Sequence, residues 1–210
     1  MKHLKILGLT VVAAVAMMAL GGAGTASATA LYSGASKLAA GTEIVASLSG
    51  TATLTTTEGT VFQTCSDGQI KGNTTNAGGP AETVKIAVEK TGFIWKQCTE
   101  PTSTLAGGTL EMHWTSEING TVTGSGFEVT INTTIFGSCI FTLPPGTTLG
   151  TFTGAPFKVK NSKGEEEEVR DAVIHINTTI VRKSGLCPAS ERWVGSYNIT
   201  TPTPLHTTAS

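Results

Sequence analysis

The sequence predicts an all-β fold: an antiparallel β-sandwich or Greek-key-like barrel of about ten strands, held by two disulfides. Three observations predict it. Apolar and polar residues alternate with period two in segment after segment, with Gly-, Pro- and Asn-rich turns between them. No long segment after the first thirty residues carries the helical period. Four cysteines follow an export-type leader, and an even count in an oxidising compartment reads as disulfides.

The leader comes first in the chain. Lys2 and Lys5 form a positive n-region, Ile6 to Leu20 is uncharged and mostly apolar, and Ala26-Ser27-Ala28 offers small residues at −3 and −1. These features predict a signal peptide over residues 1–28 and a single β domain over 29–210 with a flexible C-terminal tail. Cleavage after Ala30 is the second option. The apolar run is short for a membrane span. No Cys lies near the cleavage site, which argues against a lipoprotein anchor.

The strands follow in order. Thr29 to Ala40 reads as an extended lead-in. Ile44, Ala46 and Leu48 alternate with Val45, Ser47 and Ser49. Ala52–Thr56 and Thr60–Thr64 flank a hairpin turn at Glu58-Gly59. Gly72 to Pro80 is turn-rich. Val84, Ile86 and Val88 then oppose Lys85 and Glu89. Leu110, Met112, Trp114 and Ile118 share one face; Glu111, His113, Thr115 and Glu117 share the other. Asn119-Gly120 is a turn signal. Phe127, Val129, Ile131 and Ile135 alternate with Glu128, Thr130, Asn132 and Thr134. Ala172, Ile174 and Ile176 oppose Val173, His175 and Asn177, and Trp193, Tyr197 and Ile199 oppose Val194, Ser196 and Asn198. Ser162–Glu168 reads as a charged hairpin tip or a short helical turn. Gly50–Cys65 and Gly120–Cys139 resemble each other weakly, as a duplicated unit would.

Composition narrows the function classes. Without Lys2 and Lys5 the chain keeps twelve basic residues against fifteen acidic ones, a net charge of −3. That is no footprint for nucleic acid, so no nucleic-acid partner is expected. Charged residues make up only 14% of the chain, and Thr, Ser and Gly fill the solvent positions.

Cys65, Cys98, Cys139 and Cys187 allow three pairings, of which the sequential one, Cys65–Cys98 with Cys139–Cys187, is preferred here. A metal site is disfavoured by spacing: there is no C-x2-C pair, and no His lies near a Cys. No metal and no cofactor are expected.

Catalytic signals are weak. There is no G-x-S-x-G elbow, and Gly124-Ser125-Gly126 reads as a turn. A Ser–His–Asp site would need His113 or His175 with Asp67 or Asp171. Glu111, His113 and Glu117 share a face, where a solvated strand surface is the simpler reading than a glycosidase-like or metal site. Glu165–Glu168 with Asp171 would bind calcium only if their oxygens converged, and consecutive strand residues point apart. Trp114 and Trp193 read as core. Trp95, in Phe93-Ile94-Trp95-Lys96 before Cys98, is the one ligand-contact candidate.

With its Thr/Gly-rich strands, paired cysteines and the tail residues Cys187-Pro188, Trp193, Tyr197 and Pro202-Thr203-Pro204-Leu205, the chain resembles exported actinobacterial four-cysteine β proteins of unknown function. The resemblance implies a secreted or envelope β protein and carries over no catalytic residue. The expectation is therefore an exported, non-enzymatic protein, structural or adhesive at the cell envelope. Its partner is not legible, envelope components being the first class to test. Two alternatives stand beside it: an envelope-embedded β-barrel or pore, the one case that implies membrane insertion, and a secreted hydrolase without a recognisable motif.

Overall fold

Alternating side chains build strands from nearly the whole of the domain in the computed structural model, which describes residues 28–104, 107–155, 159–160, 166–167 and 171–210. The predicted signal peptide lies outside the described residues. In chain order the strands are β1 (Thr29–Ser33), β2 (Ser36–Lys37), β3 (Glu43–Thr55), β4 (Val61–Thr74), β5 (Val84–Cys98), β6 (Thr102–Thr104), β7 (Thr109–Ser116) and β8 (Asn119–Ser125). They continue as β9 (Glu128–Thr133), β10 (Gly137–Thr142), β11 (Thr147–Thr153), β12 (Val159–Lys160), β13 (Glu166–Glu167), β14 (Val173–Ser184), β15 (Ser190–Thr201) and β16 (Leu205–Ala209). The protein is all-β, and both disulfides have the sequential pairing, Cys65–Cys98 and Cys139–Cys187.

Eight strands close a barrel in the order β3-β4-β5-β7-β8-β11-β14-β15 and back to β3, every pair antiparallel. Around the wall, the order in space is the order in the chain. The long strands outrun β7, β8 and β11. β14 pairs β11 through Val173–Ile176 and then β10 through Val181–Ser184, so that β10, β9 and β6 extend the wall where the shorter strands stop. At Gly150 the wall is so close that a Cβ would collide with the His175 carbonyl, which is why glycine stands there.

Inward positions are mostly apolar: Ile86, Met112, Val122, Phe152, Ile174 and Tyr197 are among the buried residues. The bore is plugged by aromatic rings. Phe93 packs on Trp95, Phe127 and Trp193 at centroid distances of 5.4, 5.7 and 5.1 Å, and edge-to-face contacts recur among them, the geometry aromatic quadrupoles favour. The apolar void left among these rings is about 10 Å³. Outward positions are polar: Lys85 and Glu111 pair across β5 and β7, His113 meets Thr123, His175 meets Ser196, and Arg192 meets Asn177. These faces are the reverse of those of a bilayer-spanning barrel, whose outer band is apolar.

One end of the barrel is capped by the sheet β16-β1-β2. β1 and β16 pair over five residues from Thr29↔Ala209 to Ser33↔Leu205. Thr29 Oγ1 accepts a hydrogen bond from the Trp114 amide at 2.8 Å, and Thr207 Oγ1 donates to the Asn119 carbonyl at 3.0 Å. The segment read from sequence as a flexible tail is thus a strand with Leu205, His206 and Thr207 buried. Its partner β1 lies about 170 residues earlier in the chain, where no local pattern could announce the pairing.

Three further expectations shift. The β7–β8 turn falls on Glu117-Ile118, with Glu117 left-handed at φ 50°, and Asn119-Gly120 already belongs to β8. β9 ends at Thr133, so Ile135 leaves the apolar face and sits in a turn. The two similar segments are not equivalent: Gly50–Cys65 runs through the β3–β4 hairpin, whereas β8 pairs β7 and β11, and β10 pairs β9 and β14. Of Ser162–Glu168, the residues 162–165 and 168 lie outside the described residues; Glu166 and Glu167 pair with Lys160 and Val159.

Candidate functional site

The barrel end opposite the cap gathers three turns, between β3 and β4, β9 and β10, and β14 and β15. Each uses a left-handed glycine, Gly59 at φ 85°, Gly137 at φ 68° and Gly185 at φ 101°, a conformation that costs glycine little. Both disulfides sit at this end. Cys65–Cys98 joins the start of β4 to the end of β5, and Cys139–Cys187 ties β10 to the β14–β15 turn. Gln63, 1% exposed, adds a polar clamp. Its Nε2 donates to the Glu100 carbonyl at 2.8 Å and to Thr102 Oγ1 at 2.7 Å, and its Oε1 accepts from the Glu100 amide at 3.0 Å and from the Thr99 hydroxyl.

These pinned turns carry the most exposed large apolar side chains among the described residues. Ile135 and Leu186 are each 83% exposed, Val61 58% and Phe136 39%. Phe136 leans on half-buried Phe62 at 6.5 Å between centroids, and Phe62 packs edge-on against buried Phe141 at 5.9 Å. Gly185 lies against the Ser138 carbonyl and Cys139, which holds the Leu186 turn on the start of β10. Isolated surface apolars are ordinary, but four at one end of a Thr-rich barrel form a feature.

Beside them stands Glu191, on an inward position of β15 opposite Ile180. It is fully buried, and neither carboxylate oxygen has a hydrogen-bond partner among the described residues. The Thr178 hydroxyl on β14 is likewise buried and unpartnered. Desolvation, with a smaller contribution from the charge of Glu58 on the β3–β4 turn, pushes the Glu191 pKa up to about 7. A polar pocket of about 260 Å³, lined by Thr55, Thr56, Thr57, Ser190, Glu191 and Arg192 among others, opens here. Burial thus favours the neutral form of Glu191, and no second acid or base is hydrogen-bonded to it among the described residues. Sequence reading missed it because β15 alternates cleanly, and Glu191 occupies an inward slot beside Trp193 that composition alone does not single out.

The residues singled out from sequence lie elsewhere. Trp95 is 4% exposed, with Nε1 donating to the Tyr197 hydroxyl at 2.8 Å inside the bore; it is a core residue, and the surface-ligand reading is corrected. Trp193 is core as expected, whereas Trp114 is half-buried at the capped end, bonded through Nε1 to the Glu117 carbonyl. Glu111 and His113 lie on the outer wall with Lys85 and Thr123 as partners, and Glu117 sits apart in its turn. His175 bonds Ser196 on the exposed wall. No group of three His, Cys, Asp or Glu side chains able to hold a metal ion occurs among the described residues. A second pocket, of about 490 Å³, is lined by Asn76, Glu82, Lys85 and Glu111 among others, toward the capped end.

Comparison of the chain with protein-family models, with curated proteins and with solved structures finds no match.

Proposed function

We propose that the chain is an exported, disulfide-locked barrel that acts through its outer surface, as a non-enzymatic structural or adhesive protein at the cell envelope. The observation that carries this reading is the plugged bore. Phe93, Trp95, Phe127 and Trp193 fill the barrel interior where they meet, and the space left among them, about 10 Å³, is too small for a substrate or a lipid. What remains to make contacts is the wall and the end turns.

Two further points support export and a water-facing barrel. Disulfides persist in oxidising compartments, and β1 begins at Thr29, one residue after the predicted cleavage site at Ala28. The polar outer wall favours the water-facing barrel over the envelope-embedded pore.

The test is fractionation of the native host into medium, envelope and detergent extract, with mass spectrometry of the mature chain. The expected species begins at Thr29, is four protons lighter than the reduced chain, and dissolves without detergent. A panel of ester, peptide and glycan substrates is expected to stay intact; hydrolysis abolished by one point mutation in a surface cleft would overturn the non-enzymatic reading.

A further inference from the structure

We propose that the disulfide-bearing end of the barrel docks on a lipid surface, with Ile135 and Leu186 as the side chains that enter it. The proposal rests on the exported-surface reading above and names the contact that reading leaves open.

The two most exposed apolar residues, Ile135 and Leu186, stand in turns rather than across a flat face. Ile135 and Phe136 crown the β9–β10 turn, Leu186 crowns the β14–β15 turn, and Val61 opens β4. Separated protrusions suit a soft medium that closes around each side chain. A rigid protein partner would need matching pockets, and the residues that dominate binding energy at protein interfaces are enriched in Trp, Tyr and Arg, with Leu and Val under-represented. None of those three favoured types occurs in residues 133–138 or 184–190.

Charge points the same way. Residues 133–138 and 184–190 contain no charged side chain. Behind them, Lys183 is ion-paired with Glu128 and the Arg182 guanidinium donates to the Cys187 carbonyl, while Glu58 sits on the neighbouring turn. Turn segments without a charged side chain, on a chain whose net charge without Lys2 and Lys5 is −3, fit a zwitterionic or neutral lipid surface rather than an anionic one. The turns are also held before contact: Cys139–Cys187 ties the two apolar turns together and Cys65–Cys98 braces β4 beneath Val61 and Phe62. Docking then loses little conformational freedom.

The experiment is flotation of the oxidised mature protein with phosphatidylcholine vesicles, at low salt and at 1 M NaCl, an ionic strength at which exposed charges are largely screened, beside the variant Ile135→Ser/Leu186→Ser. Wild type is expected to float with the vesicles at both salt concentrations. The double variant is expected to partition at least about tenfold more weakly, since two aliphatic side chains no longer leave water. Its thermal midpoint and its two disulfides are expected to be unchanged, since both side chains are already exposed. Wild type that stays with the soluble fraction overturns the proposal, and so does vesicle binding that survives in the double variant. Dimerisation in sedimentation equilibrium that is lost in the variant, without vesicle binding, assigns the tips to a second copy and also overturns it. Failure here leaves the envelope reading standing if the native protein is still recovered from medium or envelope; recovery from the cell interior removes that reading instead.

Discussion

Trp95 and Tyr197, 102 residues apart in the chain, meet inside the barrel, where the indole Nε1 donates to the phenol oxygen at 2.8 Å. The contact joins β5 to β15 across the bore, and burial raises the Tyr197 phenol well above its ordinary pKa, so it stays a neutral acceptor throughout the usable pH range. Replacing Tyr197 with Phe keeps the ring and removes the acceptor, leaving the Trp95 N–H buried without a partner. The expected cost is about 1–3 kcal/mol, read as a lower urea midpoint with an unchanged slope.

Glu191 makes stability depend on pH in the direction opposite to that of a salt-bridged carboxylate. Its folded pKa, about 7, lies above the ordinary 4.5. Its contribution is therefore fully present below about pH 4.5 and is lost as pH rises through about 7. Glu191→Gln removes the charge that must otherwise be buried. The variant is expected to be more stable than wild type by up to about 3 kcal/mol at pH 8 and nearly indistinguishable at pH 4.5. Urea titrations at both pH values check this; parallel profiles for the two proteins would falsify the assignment of the slope to Glu191.

Reduction is expected to loosen one end of the molecule first. The two bridges span sequence separations of 33 and 48 residues, and chain entropy assigns each about 3–4 kcal/mol. Breaking Cys139–Cys187 by serine substitution is expected to raise amide exchange in β9, β10 and the β14–β15 turn while β7 and β8 stay protected. Uniform loss of protection across the barrel would contradict this.

Deleting residues 202–210 is expected to be costly. The deletion strips the five-residue ladder from β1 and uncovers Leu31, which packs in the core that Leu205 completes. A loss of about 3 kcal/mol or more is expected from the apolar surface exposed and the buried polar groups left unpaired. A thermal midpoint unchanged by the truncation would return the segment to the status of a loose tail.

Much of the fold was legible because a barrel with an apolar bore repeats one local rule. Met112, Ile174, Trp193 and Tyr197 each occupy a period-two slot, and each is buried. Pairing the cysteines in order agreed with the strands because each bridge closes a neighbouring pair or a wall extension. The open end was less legible for physical reasons. Ile135 continues the alternation of β9 on paper, but the ladder stops at Thr133, and the next residues turn outward. Leu186 sits between Gly185 and Cys187, where composition reads simply as a loop. The burial of Trp95 depends on Tyr197, and the order of residues 202–210 depends on Thr29–Ser33; both are long-range relationships with no local signature.

The pairing of Thr29 with Ala209 sets the two ends of the β domain side by side. A pull applied between them would peel β1 from β16 one hydrogen-bonded rung at a time, the direction in which an antiparallel ladder yields most easily. The cap would open before tension reached the eight-stranded wall. The covalent loops at the far end would stay unloaded while it did so. As a mechanical element the molecule is thus a soft latch at one pole and a covalently braced end at the other.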